Sequence, residues 1–287
     1  MQIKKAVITA AGPRQRTLPM QMLIDQQSVE RSVLSLVVGE AVRAGISDVC
    51  IVVCPGDDEA YAKLLANDPV RLTFVEQKEP ASYAHAVLCA REFVRDEAFL
   101  HCVGDHIYVG PESNGSANRL VDAAAAADSS ISSVQITRES FLPFYGAVGG
   151  HPVAGRPGFY RVDTVLEKPT PTEAEQRLIV PGLRSGQYLC FYGMHVLTPT
   201  IFEILSAIVA DPQARPSLSS ALALLAQREQ YLAMIQKGQR FDVGVKYGLF
   251  TAQLALALQG NDRDKVLSEL IQVLAAREMF SQKGKDE

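Results

Sequence analysis

The sequence lacks a strong excess of either charge. Its 28 lysines and arginines are set against 32 aspartates and glutamates, so the formal net charge is -4 over 287 residues. This balance offers no overall electrostatic attraction to nucleic acid or to an anionic membrane surface. We therefore expect no nucleic-acid partner, and a phosphate-bearing ligand would have to be held by local charges.

Membrane-spanning and metal-binding cysteine patterns are also missing. No run of about eighteen apolar residues could span a bilayer, and the N-terminus has no apolar core of a signal peptide. The cysteines show neither C-x-x-C nor the Cys/His spacing of a zinc site. We interpret the five as small, reduced core residues, namely Cys50, Cys54, Cys89, Cys102 and Cys190. We expect a soluble, cytoplasmic protein without a membrane partner.

The first half of the chain alternates short apolar strands with amphipathic helical segments. This alternation predicts repeated β-α units, and hence an α/β fold with a central, mostly parallel mixed sheet flanked by helices. Strands are predicted at 6–10, 49–53, 70–74 and 98–103. A helix is predicted over 29–44, with Ser28 as its N-cap and Gly45 as its stop. Asp57 or Asp58 is expected to start the next helix, and Ser82 the one after it.

The second half is less regular. The Gly- and Pro-rich stretch 143–158 predicts β-hairpin insertions. Strands are predicted at 132–137, 159–166 and 187–196, and helices at 120–127, 200–207, 219–227, 246–258 and 262–280. We expect one domain over 1–260, followed by a C-terminal helix and tail over 261–287 that packs on it or on a partner subunit. The helix has an apolar stripe formed by Val266, Leu267, Leu270, Ile271 and Leu274.

The end of the first strand is the strongest functional signal. The apolar strand runs into Ala10, Ala11 and Gly12, and then into a loop that carries Arg14 and Arg16. A small-residue turn followed by basic side chains can hold a polyphosphate through backbone N–H groups and a guanidinium. An ordinary tight turn with two solvated arginines is the alternative.

Three acidic residues lie where later strands end or helices begin. Asp105 follows the strand at 98–103 and could bind Mg²⁺, which needs only one or two carboxylates besides substrate phosphates. It could also cap a turn, and His106 beside it is interpreted as a loop histidine. Asp242 could be a second metal ligand or a helix N-cap. Glu167 and Lys168 could hold sugar hydroxyls and a phosphate, or could be solvated surface residues.

Taken in order, these segments resemble the sugar-1-phosphate nucleotidyltransferase family, most closely its bacterial UTP:glucose-1-phosphate uridylyltransferases. The resemblance covers nearly the whole chain. It rests on the first strand with its loop, on the stretches 77–90, 145–146, 165–169 and 192–202, and on Phe241 to Gly248. The resemblance implies a Rossmann-like nucleotidyltransferase fold.

The same resemblance implies Mg²⁺-dependent transfer of uridylyl from UTP to glucose 1-phosphate by an enzyme that is expected to be a homo-oligomer. Asp105 and Asp242 would hold the metal ion, and Arg16, Lys168 and Asp105 would be catalytic. The remaining roles are nucleotide binding by Ala10, Ala11, Gly12, Arg14, Gln77 and Ala84, and sugar binding by Tyr145, Gly146, Glu167 and Lys168.

The loop departs from the family pattern in two ways. Arg14 stands where relatives carry a glycine that lets backbone approach phosphate, and the family's Lys-x-x-Pro-Lys segment is replaced by Met20 to Leu23. Two alternatives therefore stay open. The protein could be a non-catalytic subunit that binds nucleotide or sugar phosphate, or a nucleotidyltransferase with a different nucleotide or sugar.

Overall fold

A computed structural model describes residues 1–13, 16–79, 81–111, 115–211, 213 and 216–283, with side chains to residue 276. Within this part of the chain, nine strands form one mixed sheet in the order β5-β4-β1-β6-β11-β8-β12-β10-β9. The strands are β1 (Lys5–Ala10), β2 (Met22–Ile24), β3 (Glu30–Ser32), β4 (Asp48–Val53), β5 (Arg71–Glu76), β6 (Phe99–Val103), β7 (His106–Val109), β8 (Ser130–Arg138), β9 (Gly146–Pro152), β10 (Phe159–Glu167), β11 (Gln187–Leu197), β12 (Tyr231–Ile235) and β13 (Gln239–Asp242).

Helices cover both faces of the sheet. They are α1 (Val33–Arg43), α2 (Asp58–Leu64), α3 (Tyr83–Cys89), α4 (Arg91–Val94), α5 (Gly115–Ala127), α6 (Pro171–Arg177), α7 (Thr200–Ala210), α8 (Leu218–Arg228), α9 (Gly248–Gln259) and α10 (Arg263–Lys283). Alternate residues of β1 enter different cores, because successive side chains of a strand point to opposite faces. Val7 packs in the core with α3, α7 and α8, whereas Ile8 packs in the core with α1 and α5. The α/β fold class is therefore confirmed.

Parallel pairing is concentrated in the first half of the chain. β1 lies between β4 and β6 and is parallel to both, and β4 is parallel to β5. The second half adds the antiparallel strands, including the hairpin of β9 and β10. This hairpin confirms the predicted insertion, whose turn is the Gly- and Pro-rich stretch 153–158.

The predicted start of the first helix is wrong. α1 begins at Val33, and its N-cap is Ser32, whose hydroxyl accepts a hydrogen bond from the N–H of Ser35 at 3.0 Å. Ser28 instead has a φ of 66° in the turn between β2 and β3. Asp25 holds that turn, because its Oδ1 accepts from the N–H groups of Gln27 and Val29, each at 2.9 Å. The short hairpin of β2 and β3 thus extends into the first turn of the predicted helix.

Four other expectations can be compared directly with the structure. The five cysteines are free, and four of them are buried. Within the described residues, no helix has the combination of length and apolar character needed to cross a bilayer. Helix α2 begins at Asp58 with Asp57 as N-cap, and Ser82 caps α3 through the N–H of His85, as predicted.

Candidate active site

A cleft of about 490 Å³ opens at the carboxyl ends of β1 and β6. This is the edge at which open α/β sheets bind ligands. The structure brings seven of the predicted site residues to its walls, namely Ala10, Ala11, Gly12, Gln77, Asp105, Glu167 and Lys168. These residues come from the ends of four strands that are far apart in sequence.

Asp105, His106 and Asp242 form an acidic cluster at one side of the cleft. One ligand atom from each side chain lies within 4.8 Å of the others. The antiparallel pair of β7 and β13 creates this meeting, because Asp242 is opposite His106 in the register. The N–H of Val243 also donates to the carbonyl oxygen of Asp105 at 3.0 Å, which ties the two acidic segments together.

The electrostatics of Asp105 favour its ionised form. Burial acts to raise its pKa, but the hydrogen bond and charge of His106, with Nδ1 at 2.9 Å from Oδ1, outweigh it. The pKa of Asp105 therefore lies below its usual value. Asp242 is oriented by the N–H of Gly244, which donates to its Oδ1 at 2.8 Å. Both carboxylates are thus held by neighbouring groups.

Two glycines allow the backbone around this cluster to pack closely. A Cβ on Gly104 would lie 2.8 Å from the carbonyl oxygen of Thr9, where β6 ends against β1. A Cβ on Gly248 would overlap the carbonyl oxygen of Asp242. Only glycine fits at these positions, so both residues fix where the two aspartates stand.

A second wall of the cleft carries Glu167, the last residue of β10, and Lys168 after it. Glu167 is opposite Gly146 in the register of the hairpin, and the N–H of Lys168 donates to the carbonyl oxygen of Tyr145 at 3.2 Å. Ser219, near the start of α8, donates its hydroxyl hydrogen to Glu167. A side chain on Gly146 would meet this hydroxyl and, at 2.7 Å, the ring of Phe191. The four predicted sugar-binding residues are therefore adjacent.

Gln77 is buried and its amide orientation is set by two contacts. Its Nε2 lies 3.0 Å from the carbonyl oxygen of Ser82 and 3.0 Å from Nδ1 of His85. A carbonyl oxygen can only accept a hydrogen bond, so Nε2 is the donor and His85 accepts on Nδ1. Within the described residues the amide oxygen of Gln77 has no hydrogen-bond partner. The side chain therefore has one acceptor left for a ligand.

Six predicted residues are not among the described residues that line the cleft. Tyr145, Gly146 and Asp242 lie next to residues that do line it. The remaining three are Arg14, Arg16 and Ala84. Arg14 lies outside the described residues. Ala84 is fully buried in the core of α3, α7 and α8, because its side chain is on the inner face of α3. Arg16 is turned toward the end of β4, where its Nε lies 2.8 Å from Oδ2 of Asp57. A role of Arg16 at a phosphate would require this exposed pair to open.

Sequence reasoning missed several residues at the site. His106 was interpreted as a loop histidine but lies in the acidic cluster. Tyr83 lines the cleft, and its hydroxyl lies 3.3 Å from Nε2 of the buried His101. Ser219 is the first residue of the helix predicted over 219–227, and that prediction gave no sign of its contact with Glu167.

The strand order and the cleft at the carboxyl ends of β1 and β6 define an open α/β protein with helices on both faces of its sheet. More specifically, the chain belongs to the nucleotidyl transferase family, whose family model matches residues 5–259. It is 29% identical to UTP–glucose-1-phosphate uridylyltransferase of Bacillus subtilis (strain 168), over 92% of this chain and 95% of the relative.

Solved structures share the fold. The chain is similar to a UDP-glucose pyrophosphorylase complexed with UDP-glucose, with a TM-score of 0.71, 24% identity, and coverage of 88% of this chain and 98% of that one. It is also similar to a UTP-bound UGPase from Acinetobacter baumannii, with a TM-score of 0.71, 23% identity, and coverage of 94% and 99%. The fold of this chain is therefore the Rossmann-like nucleotidyltransferase fold that its sequence predicts.

Proposed function

We propose that the protein transfers a uridylyl group from UTP to glucose 1-phosphate, giving UDP-glucose and pyrophosphate. The observation that carries the proposal is the meeting of Asp105 and Asp242 at a cleft whose other wall carries Glu167 and Lys168. The Bacillus subtilis relative, which bears the name of this activity, supports the choice of substrates. The reaction requires two polyanions to be held side by side, and the carboxylates for a metal ion and the lysine for a phosphate meet this requirement.

The acidic cluster fits a divalent cation such as Mg²⁺. Its carboxylates are hard oxygen donors with ligand atoms within 4.8 Å of one another, and one of them is held in its ionised form. Asp105 and Asp242 would hold the ion. When bound, it would screen the negative charge of the substrate phosphates.

The residues of the chain position the reactants. Lys168 binds the phosphate of the sugar 1-phosphate and lowers its repulsion from the triphosphate. One oxygen of that phosphate attacks the α-phosphorus of UTP. The bond to the β-phosphate oxygen breaks, and that oxygen leaves with its electron pair as part of pyrophosphate. No protein nucleophile is required, so alignment of the two phosphates supplies most of the rate.

Gln77 accounts for the choice of base. Its nitrogen is committed to Ser82 and His85, which leaves its oxygen as a hydrogen-bond acceptor. Uracil has an N–H at ring position 3, whereas cytosine has an acceptor there. A buried acceptor rejects a base that cannot donate to it, because both acceptors would remain unpaired. We expect UTP to be a much better substrate than CTP.

Glu167 and Tyr145 orient the hexose. The carboxylate of Glu167 is held by Ser219 and can accept hydrogen bonds from sugar hydroxyls. Gly146 keeps the backbone of β9 close to that carboxylate. The sugar is thereby placed with its 1-phosphate toward Lys168.

A screen of pyrophosphate release tests the proposal. Purified protein is incubated with Mg²⁺, each common nucleoside triphosphate and each of several sugar 1-phosphates. We expect the highest rate for UTP with glucose 1-phosphate and a much lower rate for CTP. Release from another pair, with none from this one, would assign the site to other substrates.

A non-catalytic binding subunit is the second candidate. The pairing of Arg16 with Asp57, which turns a loop cation away from the cleft, favours it. UDP-glucose binding by calorimetry, without pyrophosphate release from any pair, would establish this candidate in place of the enzyme.

We also propose that residues 261–287 form an assembly element attached to the domain over 1–260. Helix α10 packs along α9, and it leaves large apolar side chains exposed at Leu267, Ile271, Val273 and Leu274. A second copy of the chain could cover them in a homo-oligomer. Light scattering of the full chain and of a chain truncated after residue 260 would measure the difference in mass.

A further inference from the structure

Arg240 is a cation near the site to which neither the sequence motifs nor the proposed function assigns a role. It does not line the cleft itself, but its strand and its ring contact adjoin the cleft. It lies on β13 two residues before Asp242, so the two side chains leave the same face of the strand. Its cross-strand neighbour in β7 is Tyr108, and that of Asp242 is His106. Arg240 therefore belongs to the same ribbon face as the acidic cluster.

The guanidinium of Arg240 also contacts Tyr145, one of the four predicted sugar-binding residues. Its central carbon lies 3.5 Å from the centroid of the Tyr145 ring. The main chain of Tyr145 is joined to Lys168, and the residue after it is opposite Glu167. Arg240 is therefore a direct contact between the ribbon that carries Asp242 and the wall that carries the predicted sugar-binding residues.

The charge of Arg240 is not neutralised by the protein. Within the described residues its half-buried side chain makes no hydrogen bond and has no acidic partner. Other arginines of the fold, such as Arg31, Arg43 and Arg71, are paired with carboxylates. Stacking on a ring occupies the flat face of a guanidinium and leaves the N–H groups at its edge free to donate. These donors match the oxygens of a phosphate.

The cleft needs a second cation. Among the described residues that line it, Lys168 is the one lysine or arginine, while Asp105 and Glu167 are acidic. A phosphate monoester brings a charge of about -1.5 to -2, and Arg16 is engaged by Asp57. The loop lysines of the family are also missing from the sequence. A single ammonium is a weak match for a dianion next to carboxylates.

We propose that Arg240 binds the phosphate of the sugar 1-phosphate together with Lys168, while its flat face holds the Tyr145 ring. The inference rests on the proposed function and adds a binding residue to it. Arg240 then couples the placement of the sugar to the acidic cluster, because its side chain contacts Tyr145 and its backbone belongs to the same strand as Asp242.

The test compares Arg240→Gln and Arg240→Lys with a matched control, Arg156→Gln. Arg156 also stacks on a ring, 4.3 Å from the centroid of Phe159, but it lies in the turn at the far end of the β9–β10 hairpin. The KM values for glucose 1-phosphate and UTP are measured, together with inhibition by inorganic phosphate against glucose 1-phosphate. Thermal unfolding confirms that each variant is folded.

We expect Arg240→Gln to raise the KM for glucose 1-phosphate and the inhibition constant of inorganic phosphate by about tenfold or more, as for loss of a charged hydrogen bond. The KM for UTP should change by less than about threefold, because Arg240 is proposed to bind the sugar phosphate and not UTP. Arg240→Lys should recover part of the loss, and Arg156→Gln should behave as wild type.

Two outcomes would overturn the inference. One is an unchanged KM for glucose 1-phosphate in Arg240→Gln. The other is a raised KM with unchanged inhibition by inorganic phosphate, because Arg240 would then act through Tyr145 alone. If the wild-type protein turns over no substrate pair, calorimetric titration with glucose 1-phosphate still decides. Binding that is lost in Arg240→Gln supports the phosphate contact, and equal binding by both proteins contradicts it.

Discussion

At the scale of single residues, Lys168 combines an unfavourable backbone with a position in the cleft. Its φ of 45° lies in the left-handed region, which a residue with a side chain rarely adopts. Such strain costs about 1–3 kcal/mol and persists where a function requires the conformation. The strain is therefore consistent with the role proposed for its ammonium group.

Replacing Lys168 with glycine should separate stability from activity. Lys168→Gly relieves the backbone strain, so we expect the free energy of unfolding to rise by about 1 kcal/mol. Pyrophosphate release should fall at least about a hundredfold, because the positive charge at the phosphate is lost. Denaturant unfolding and steady-state kinetics measure the two effects. A variant that is less stable, or as active as wild type, would contradict this account of Lys168.

The sequence made some site residues predictable and hid others. Asp105 could be placed because it directly follows an apolar strand, and the ends of neighbouring parallel strands meet at one edge. Ser219 and Arg240 could not be placed, since their contacts with Glu167 and Tyr145 join segments that are more than 50 residues apart. The local sequence around each residue does not indicate such long-range contacts.

At the scale of elements, the start of α9 sets the position of β13. Gly248 is the first residue of α9 and packs directly on the carbonyl oxygen of Asp242. Any side chain at this position must push the strand or the helix aside. The glycine is therefore part of the structure that presents Asp242.

Gly248→Ala should impair the site more than its small size suggests. We expect a loss of about 1–3 kcal/mol in stability from overpacking and a large fall in pyrophosphate release as Asp242 shifts. Gly39→Ala is the control, since Gly39 lies inside α1 and its Cβ would be 3.4 Å from the Arg43 side chain. That change should be neutral or stabilising. Full activity in Gly248→Ala would rule out this dependence on the helix.

Two buried histidines on adjacent strands should make stability depend on pH. His101 of β6 and His195 of β11 are opposite each other and almost fully buried. Burial lowers the pKa of His195 to about 3 and that of His101 well below its usual value. The unfolded chain therefore binds more protons than the folded one below about pH 6.5. The free energy of unfolding therefore keeps its full value with respect to these two histidines above that pH, and it decreases as the pH falls toward about 3.

Replacement of His195 tests this dependence. Between pH 6 and pH 4.5, wild-type stability should fall with a slope that His195→Asn reduces by up to about 1.4 kcal/mol per pH unit. His151→Asn is the control for removing a histidine, because the His151 side chain is exposed and pairs with Asp163 at the surface. The slope of His195→Asn is compared with the slope of this variant. Denaturant unfolding at several pH values gives both slopes. Equal slopes in wild type and His195→Asn would show that the buried ring is not responsible.

Element prediction succeeded where periodicity was strong and local. The β-α units around β1, β4 and β6 follow from apolar runs separated by capped helices. The hairpin of β2 and β3 was missed, although the turn between its strands is held locally by hydrogen bonds from the N–H groups of Gln27 and Val29 to Asp25. Short strands such as β7 and β13 exist because they pair with each other across a long separation.

At the scale of the whole molecule, the fold brings the ends of strands that are distant in sequence to one edge of the sheet. The parallel strands of the first half deliver Asp105, the hairpin of the second half delivers Lys168, and the ribbon near the C-terminus delivers Asp242. Sequence alone could predict that such an edge exists, because parallel sheets bind ligands there. It could not predict the mixed order of the second half, where β11 is antiparallel to β8 but β12 is parallel to β8, because this order depends on pairings between remote strands.

The most direct test is pyrophosphate release from UTP and glucose 1-phosphate at increasing Mg²⁺, measured for the wild type, Asp105→Asn and Asp242→Asn. We predict release by the wild type only when Mg²⁺ is present, and a loss of at least about a hundredfold in each variant, because each carboxylate would hold the ion. Wild-type rates in either variant, or release that does not depend on Mg²⁺, would contradict a shared metal site at Asp105 and Asp242.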